Sequence, residues 1–69
     1  MSYASLLKSG VSEPELREYL VGGDTVSVTV RIPSNLRESA KDAATMRGMS
    51  VSALIRNCLL EELTQEVAQ

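Results

Sequence analysis

The sequence predicts a mainly α-helical domain with one β-strand, in the order β-α-α, and three observations lead to this prediction. Residues 25–32 alternate apolar and polar side chains, many of them β-branched, as a half-buried strand does. Helical patterns follow over residues 34–47 and 51–64. No second strand pattern is present, so we expect the strand to pair with its copy in an intertwined homodimer, through an intermolecular two-stranded antiparallel ribbon.

The alternation assigns the strand residues to two faces. Ser27, Thr29 and Arg31 are expected to face outward, and Pro33 ends the strand because its nitrogen cannot donate to a ladder. The apolar face is expected to pack on the apolar stripes of the two helices. The predicted dimer core consists of Val26, Val28, Val30, Ile32, Leu36, Leu54, Ile55, Cys58 and Leu59.

Residues 1–24 are predicted to be a flexible N-terminal extension, and residues 25–69 to be the folded domain. Ser12, Pro14 and Glu15 supply an N-cap, a first-turn proline and a capping-box glutamate, so a short helix over 13–21 is possible. An isolated helix of this length is marginal in water. We therefore expect the extension to be mostly mobile when free.

The composition points to oligomerisation as the source of stability. The chain has 69 residues, two tyrosines, no phenylalanine or tryptophan, one cysteine and no histidine. A single chain of this size buries little apolar surface. One cysteine cannot form an intramolecular disulfide, and without histidine the usual zinc ligand sets are missing. We expect no metal and no cofactor.

Catalysis and membrane insertion are not expected. Cys58 lies in an apolar helical stretch and the chain has no histidine, so no nucleophile is paired with a base. No apolar run approaches the roughly 20 residues that a bilayer requires. Residues 1–10 also lack the apolar centre of a signal peptide. The sequence therefore predicts a cytoplasmic protein that is not an enzyme.

The polar face of the strand suits contact with DNA bases. Arg31 can bind guanine in a bidentate manner, and Ser27 and Thr29 can hydrogen-bond to several bases. The same residues would equally make an ordinary solvated strand face. Ser50, Val51 and Ser52 begin the second helix, where free amides favour a phosphate, although Ser50 is also an ordinary N-cap.

The order of these motifs resembles the ribbon-helix-helix family, which includes the Arc and MetJ repressors. The resemblance covers residues 25–64 and depends on Arg31-Ile32-Pro33, on the Gly48-Met49-Ser50 turn, and on Leu54-Ile55-Arg56 with Leu59. It implies an obligate dimer. It also implies base contacts by Ser27, Thr29 and Arg31 and phosphate contacts by Ser50, Val51 and Ser52.

The predicted function is a sequence-specific DNA-binding dimer that represses transcription, with the ribbon reading bases in the major groove. Alternatives are a plasmid partition adaptor that binds a centromere, or an antitoxin, whose tail binds a partner protein. Arg17 is the candidate partner contact, although glutamates flank it and favour local ion pairs. A helix-turn-helix around Gly48 fits less well, because Arg47 and Asn57 stand where that motif is apolar.

Overall fold

The computed structural model describes residues 2–67, and this part of the chain is helical. It contains four α-helices, and none of its residues lies in a strand. The helices are α1 (Tyr3–Lys8), α2 (Glu13–Val21), α3 (Ser34–Met46) and α4 (Val51–Thr64). The chain divides into two compact units. We call residues 2–24 with 59–67 the terminal unit, and residues 25–58 the central unit.

The β-α-α prediction is wrong for this structure, and the ribbon-helix-helix architecture with its two-stranded ribbon is corrected with it. Residues 25–32 form neither helix nor strand. No backbone hydrogen bond joins them to another described residue. Alternating β-branched residues favour an extended chain, but a strand exists only where a second segment accepts and donates its ladder hydrogen bonds. Residues 2–67 supply no such segment to residues 25–32.

The helices of the terminal unit begin at capped ends. Ser2 Oγ accepts the Ser5 N–H at 3.2 Å before α1. At the start of α2, Ser12 Oγ accepts the Glu15 N–H at 3.4 Å and donates to the Glu15 carboxylate at 2.8 Å. Gly10 lies between the two helices at a φ of 77°, which glycine adopts without the strain of a Cβ atom. α2 spans the residues for which the capping pattern predicts a helix.

The core of the terminal unit joins residues from both ends of the chain. Leu16 of α2 is completely buried, and Thr64 of α4 is 3% exposed. The Thr64 hydroxyl donates to the carbonyl of Leu60 at 2.8 Å, so its polar atom is satisfied. The Tyr3 hydroxyl donates to the carbonyl of Leu63 at 2.8 Å, across 60 positions of sequence. The sequence pattern does not predict α1 or this packing, and the unit boundary lies after residue 58 within α4.

The central unit connects α3 to α4 through a tight turn. Gly48 has a φ of 67°, and the Met49 N–H donates to the Ala44 carbonyl at 2.9 Å, as in a Schellman ending. Ser34 is the first residue of α3 rather than its cap, and no side chain caps this helix. Two residues of the unit are buried: Ala44 is 1% exposed and Leu54 is 7% exposed.

Candidate nucleic-acid interface

The three predicted base contacts lie in the exposed segment of the central unit. Ser27, Thr29 and Arg31 are all exposed. None of them has a hydrogen bond or ion pair to another residue within 2–67. Their donors and acceptors are therefore available to a ligand, but no backbone hydrogen bond of the described chain fixes their positions.

The predicted phosphate contacts lie at the start of α4. Ser50 Oγ accepts the Ala53 N–H at 3.1 Å, so Ser50 caps the helix. The N–H groups of Val51 and Ser52 donate to no acceptor among the described residues. Free amides at the positive end of a helix dipole can bind an anion. The sequence suggests two roles for this turn, capping and anion binding. The geometry allows both, because Ser50 caps the helix while the amides of Val51 and Ser52 stay free among the described residues.

The two units carry net side-chain charges of opposite sign. The central unit has five cations against two carboxylates, a side-chain charge of +3. The terminal unit has two cations against seven carboxylates, a charge of −5. The five cations of the central unit form no ion pair with any residue from 2 to 67. They are Arg31, Arg37, Lys41, Arg47 and Arg56, and all are exposed.

Arg17, the predicted partner contact, has a partner within its own helix. Its Nε lies 3.3 Å from the Glu13 carboxylate, in an i,i+4 pair on α2. Both side chains are roughly half exposed, and pairs of this kind stabilise a helix slightly. The local ion pair expected from the flanking glutamates is therefore present.

The predicted dimer core is mostly open in the single chain. Of its nine residues, Leu54 is buried and the other eight are exposed. The side chains of Val26, Val28 and Val30 are 81%, 78% and 69% exposed. The exposed members on the helices are Leu36 of α3 and Ile55, Cys58 and Leu59 of α4. This set of residues therefore does not form a core within one copy.

Three further features of residues 2–67 concern metal ligands, membrane-spanning helices and the cysteine. No group of three or more His, Cys, Asp or Glu residues is placed to hold a metal ion. None of the helices in this range has the length and apolar content needed to cross a membrane. Cys58 is a free and exposed cysteine.

Within residues 2–67 the fold is helical, and the exposed cations of the central unit form no ion pair. Residues 25–68 match the model of DUF6290, a family of unknown function, and the chain belongs to this family. The match spans the whole central unit and continues past the end of α4 at Thr64. No curated protein and no solved structure matches the chain. The family description names neither a fold nor an activity, and it does not link the chain to the ribbon-helix-helix family.

Proposed function

We propose that the protein is a sequence-specific DNA-binding dimer that represses transcription, and that its central unit contacts the DNA. The observation that supports this proposal is the set of five exposed cations of that unit, none of which forms an ion pair within residues 2–67. Cations without internal partners are available to replace the counterions of the phosphate backbone. The overall charge of −2 does not oppose this, because the negative charge is concentrated in the terminal unit.

In this proposal Ser27, Thr29 and Arg31 contact bases. Arg31 presents the planar donor pair that fits O6 and N7 of guanine, and the two hydroxyls can donate or accept. No backbone hydrogen bond holds residues 25–32 in the single chain. Dimer formation or DNA binding must therefore order this segment, and part of the binding free energy is lost to that ordering.

The eight exposed residues of the predicted dimer core support a second copy of the chain as the partner. Burying one large aliphatic side chain stabilises a protein by about 1.5–3 kcal/mol. Three exposed valines in one segment are a liability for aggregation unless a specific partner covers them. The proposed dimer would bring two copies of Ser50, Val51 and Ser52 to the phosphates. We place it in the cytoplasm, where the free thiol of Cys58 stays reduced.

The test is selection of bound fragments from sheared DNA of the source organism at near-physiological salt, followed by sequencing. We expect enrichment of a short repeated motif that overlaps promoters. Arg31→Ala should then cost about 1–3 kcal/mol on the selected site and relax the preference at one base. Lys8→Ala, which removes a cation from the terminal unit, is the matched control and should leave the selected motif unchanged. Fragments no more enriched than a random pool would contradict the proposal.

A further inference from the structure

We propose that Arg37 and Lys41 form a second DNA-phosphate contact, on the side of α3, and this inference rests on the proposed function. The two residues are four positions apart, so their side chains lie about one turn apart along one side of the helix. Both are exposed, and neither has an ion pair or hydrogen bond from its side chain within the described residues.

The charges of α3 lie in two rows of opposite sign. Arg37 and Lys41 are like charges at i,i+4, and so are Glu38 and Asp42. Opposite charges at this spacing stabilise a helix, whereas like charges destabilise it. The one opposite pair at suitable spacing, Glu38 with Lys41, forms no ion pair in the described structure. The positive row therefore costs helix stability, and an anion bound to it would offset that cost.

The two rows point in different directions around α3. Consecutive residues of an α-helix are about 100° apart, so the row of Glu38 and Asp42 is turned by that angle from the row of Arg37 and Lys41. The apolar stripe of α3 contains the buried Ala44, which lies within one turn of Lys41 and about 60° from it. The positive row thus borders the buried stripe, and the acidic row lies on the opposite side of the helix from it.

One short turn joins α3 to the start of α4. The Ala44 carbonyl accepts the Met49 N–H at 2.9 Å, and Ser50 follows directly. The central unit therefore places the positive row and the free amides of Val51 and Ser52 on elements joined by one short turn. An arginine can bind a phosphate with two parallel hydrogen bonds, and a lysine binds it as a point charge. Double-stranded DNA offers such groups in continuous rows.

The experiment measures the salt dependence of binding to the selected DNA and to a scrambled duplex of equal length. A dimer has two copies of each residue, so Arg37→Gln and Lys41→Gln should each remove two phosphate contacts. Each should weaken binding to both duplexes by the same factor, about 25-fold to 100-fold near 0.1 M salt. Each lost contact should also reduce the slope of log K against log salt concentration by about 0.9. A phosphate contact predicts this uniform loss, whereas a base contact would change the ratio between the two duplexes.

Two control variants distinguish the loss of a phosphate contact on α3 from the effect of a changed net charge. Lys8→Gln removes one cation from the terminal unit and should leave the salt slope unchanged. Glu38→Gln changes the charge of α3 on the acidic row and should not lower the slope. Circular dichroism should show that all four variants remain helical.

The outcomes distinguish this inference from the proposed function. If wild-type protein binds DNA and Arg37→Gln and Lys41→Gln bind equally well, the phosphate contact on α3 is wrong and the proposed function stands. An equal loss for Lys8→Gln would also overturn it, because the effect would then depend on net charge alone. If the wild-type protein binds neither duplex, the proposed function and this inference are both wrong.

Discussion

The two units differ in how much of their apolar surface is buried within one chain. The terminal unit buries Leu16 completely and ties α1 to α4 through the Tyr3 hydroxyl and the Leu63 carbonyl. The central unit buries Ala44 and Leu54 but leaves the valines of residues 25–32 more than two-thirds exposed. The terminal unit thus has a core within one chain, whereas the central unit leaves large apolar side chains exposed. The unit proposed to bind DNA is also the one proposed to pair with a second copy.

The largest expected effect is in the central unit, at Val28. Its side chain is 78% exposed in the single chain, so Val28→Glu would be harmless if the protein remained monomeric. In the proposed dimer the same substitution buries an unpaired charge and should cost about 3–5 kcal/mol for each copy. Analytical ultracentrifugation of the wild type and the variant measures the mass, and urea denaturation measures the stability.

The neighbouring residue supplies the control for Val28. Thr29→Glu places the same carboxylate one position along the segment, on the polar side of the alternation. We expect this variant to keep the dimer mass. A wild-type protein that sediments as a monomer, or two variants with the same mass as wild type, would show that residues 25–32 do not lie in a dimer interface.

The next effect is in the terminal unit, at Leu16. Leu16→Ala removes a completely buried side chain and should lower the free energy of unfolding by about 2–5 kcal/mol. Val21→Ala on the same helix removes a side chain that is 66% exposed, and should change it by no more than about 0.5 kcal/mol. Chemical denaturation followed by circular dichroism measures both. Equal stabilities for the two variants would mean that the terminal unit has no core around Leu16.

The smallest effect is at the hydrogen bond that closes the terminal unit. Tyr3→Phe removes the hydroxyl that donates to the Leu63 carbonyl and keeps the ring. We expect a loss of about 0.5–1.5 kcal/mol, the net contribution of one such bond. Amide hydrogen exchange should show faster exchange in α1, with α3 unchanged. An α1 that exchanges at the wild-type rate would show that the bond does not hold this helix.

Local signals account for the parts of the fold that the sequence predicts. The bounds of α2 follow from the Ser12 cap and the first-turn proline, and the turn between α3 and α4 follows from Gly48 and Ser50. These features depend on residues only a few positions apart. α1 has six residues, too few for a clear periodicity, and its hydrogen bond reaches a residue 60 positions away. The alternation of residues 25–32 predicts a strand, but strand formation depends on a partner segment that alternation does not specify.

The candidate interface also has one part that the sequence predicts and one part that it does not. The cap at Ser50 and the exposed polar residues of 25–32 can be predicted from residue type and order. The positive row of α3 does not emerge when charge is compared by segment, because residues of both signs alternate along the segment and separate only by helix face. Arg37 and Lys41 at i,i+4, beside Glu38 and Asp42 at the same spacing, are the sequence signal that could have found it.

The hydrogen bond between Tyr3 and Leu63 also has a consequence for biosynthesis. Tyr3 is translated 60 positions before Leu63, the residue whose carbonyl accepts its hydrogen bond. At about 5–20 residues per second, α1 waits roughly 3–12 s for Leu63 to be added. α3 and the turn that follows it are complete before then. During translation the first two helices therefore lack the segment that stabilises them until the end of α4 has been added.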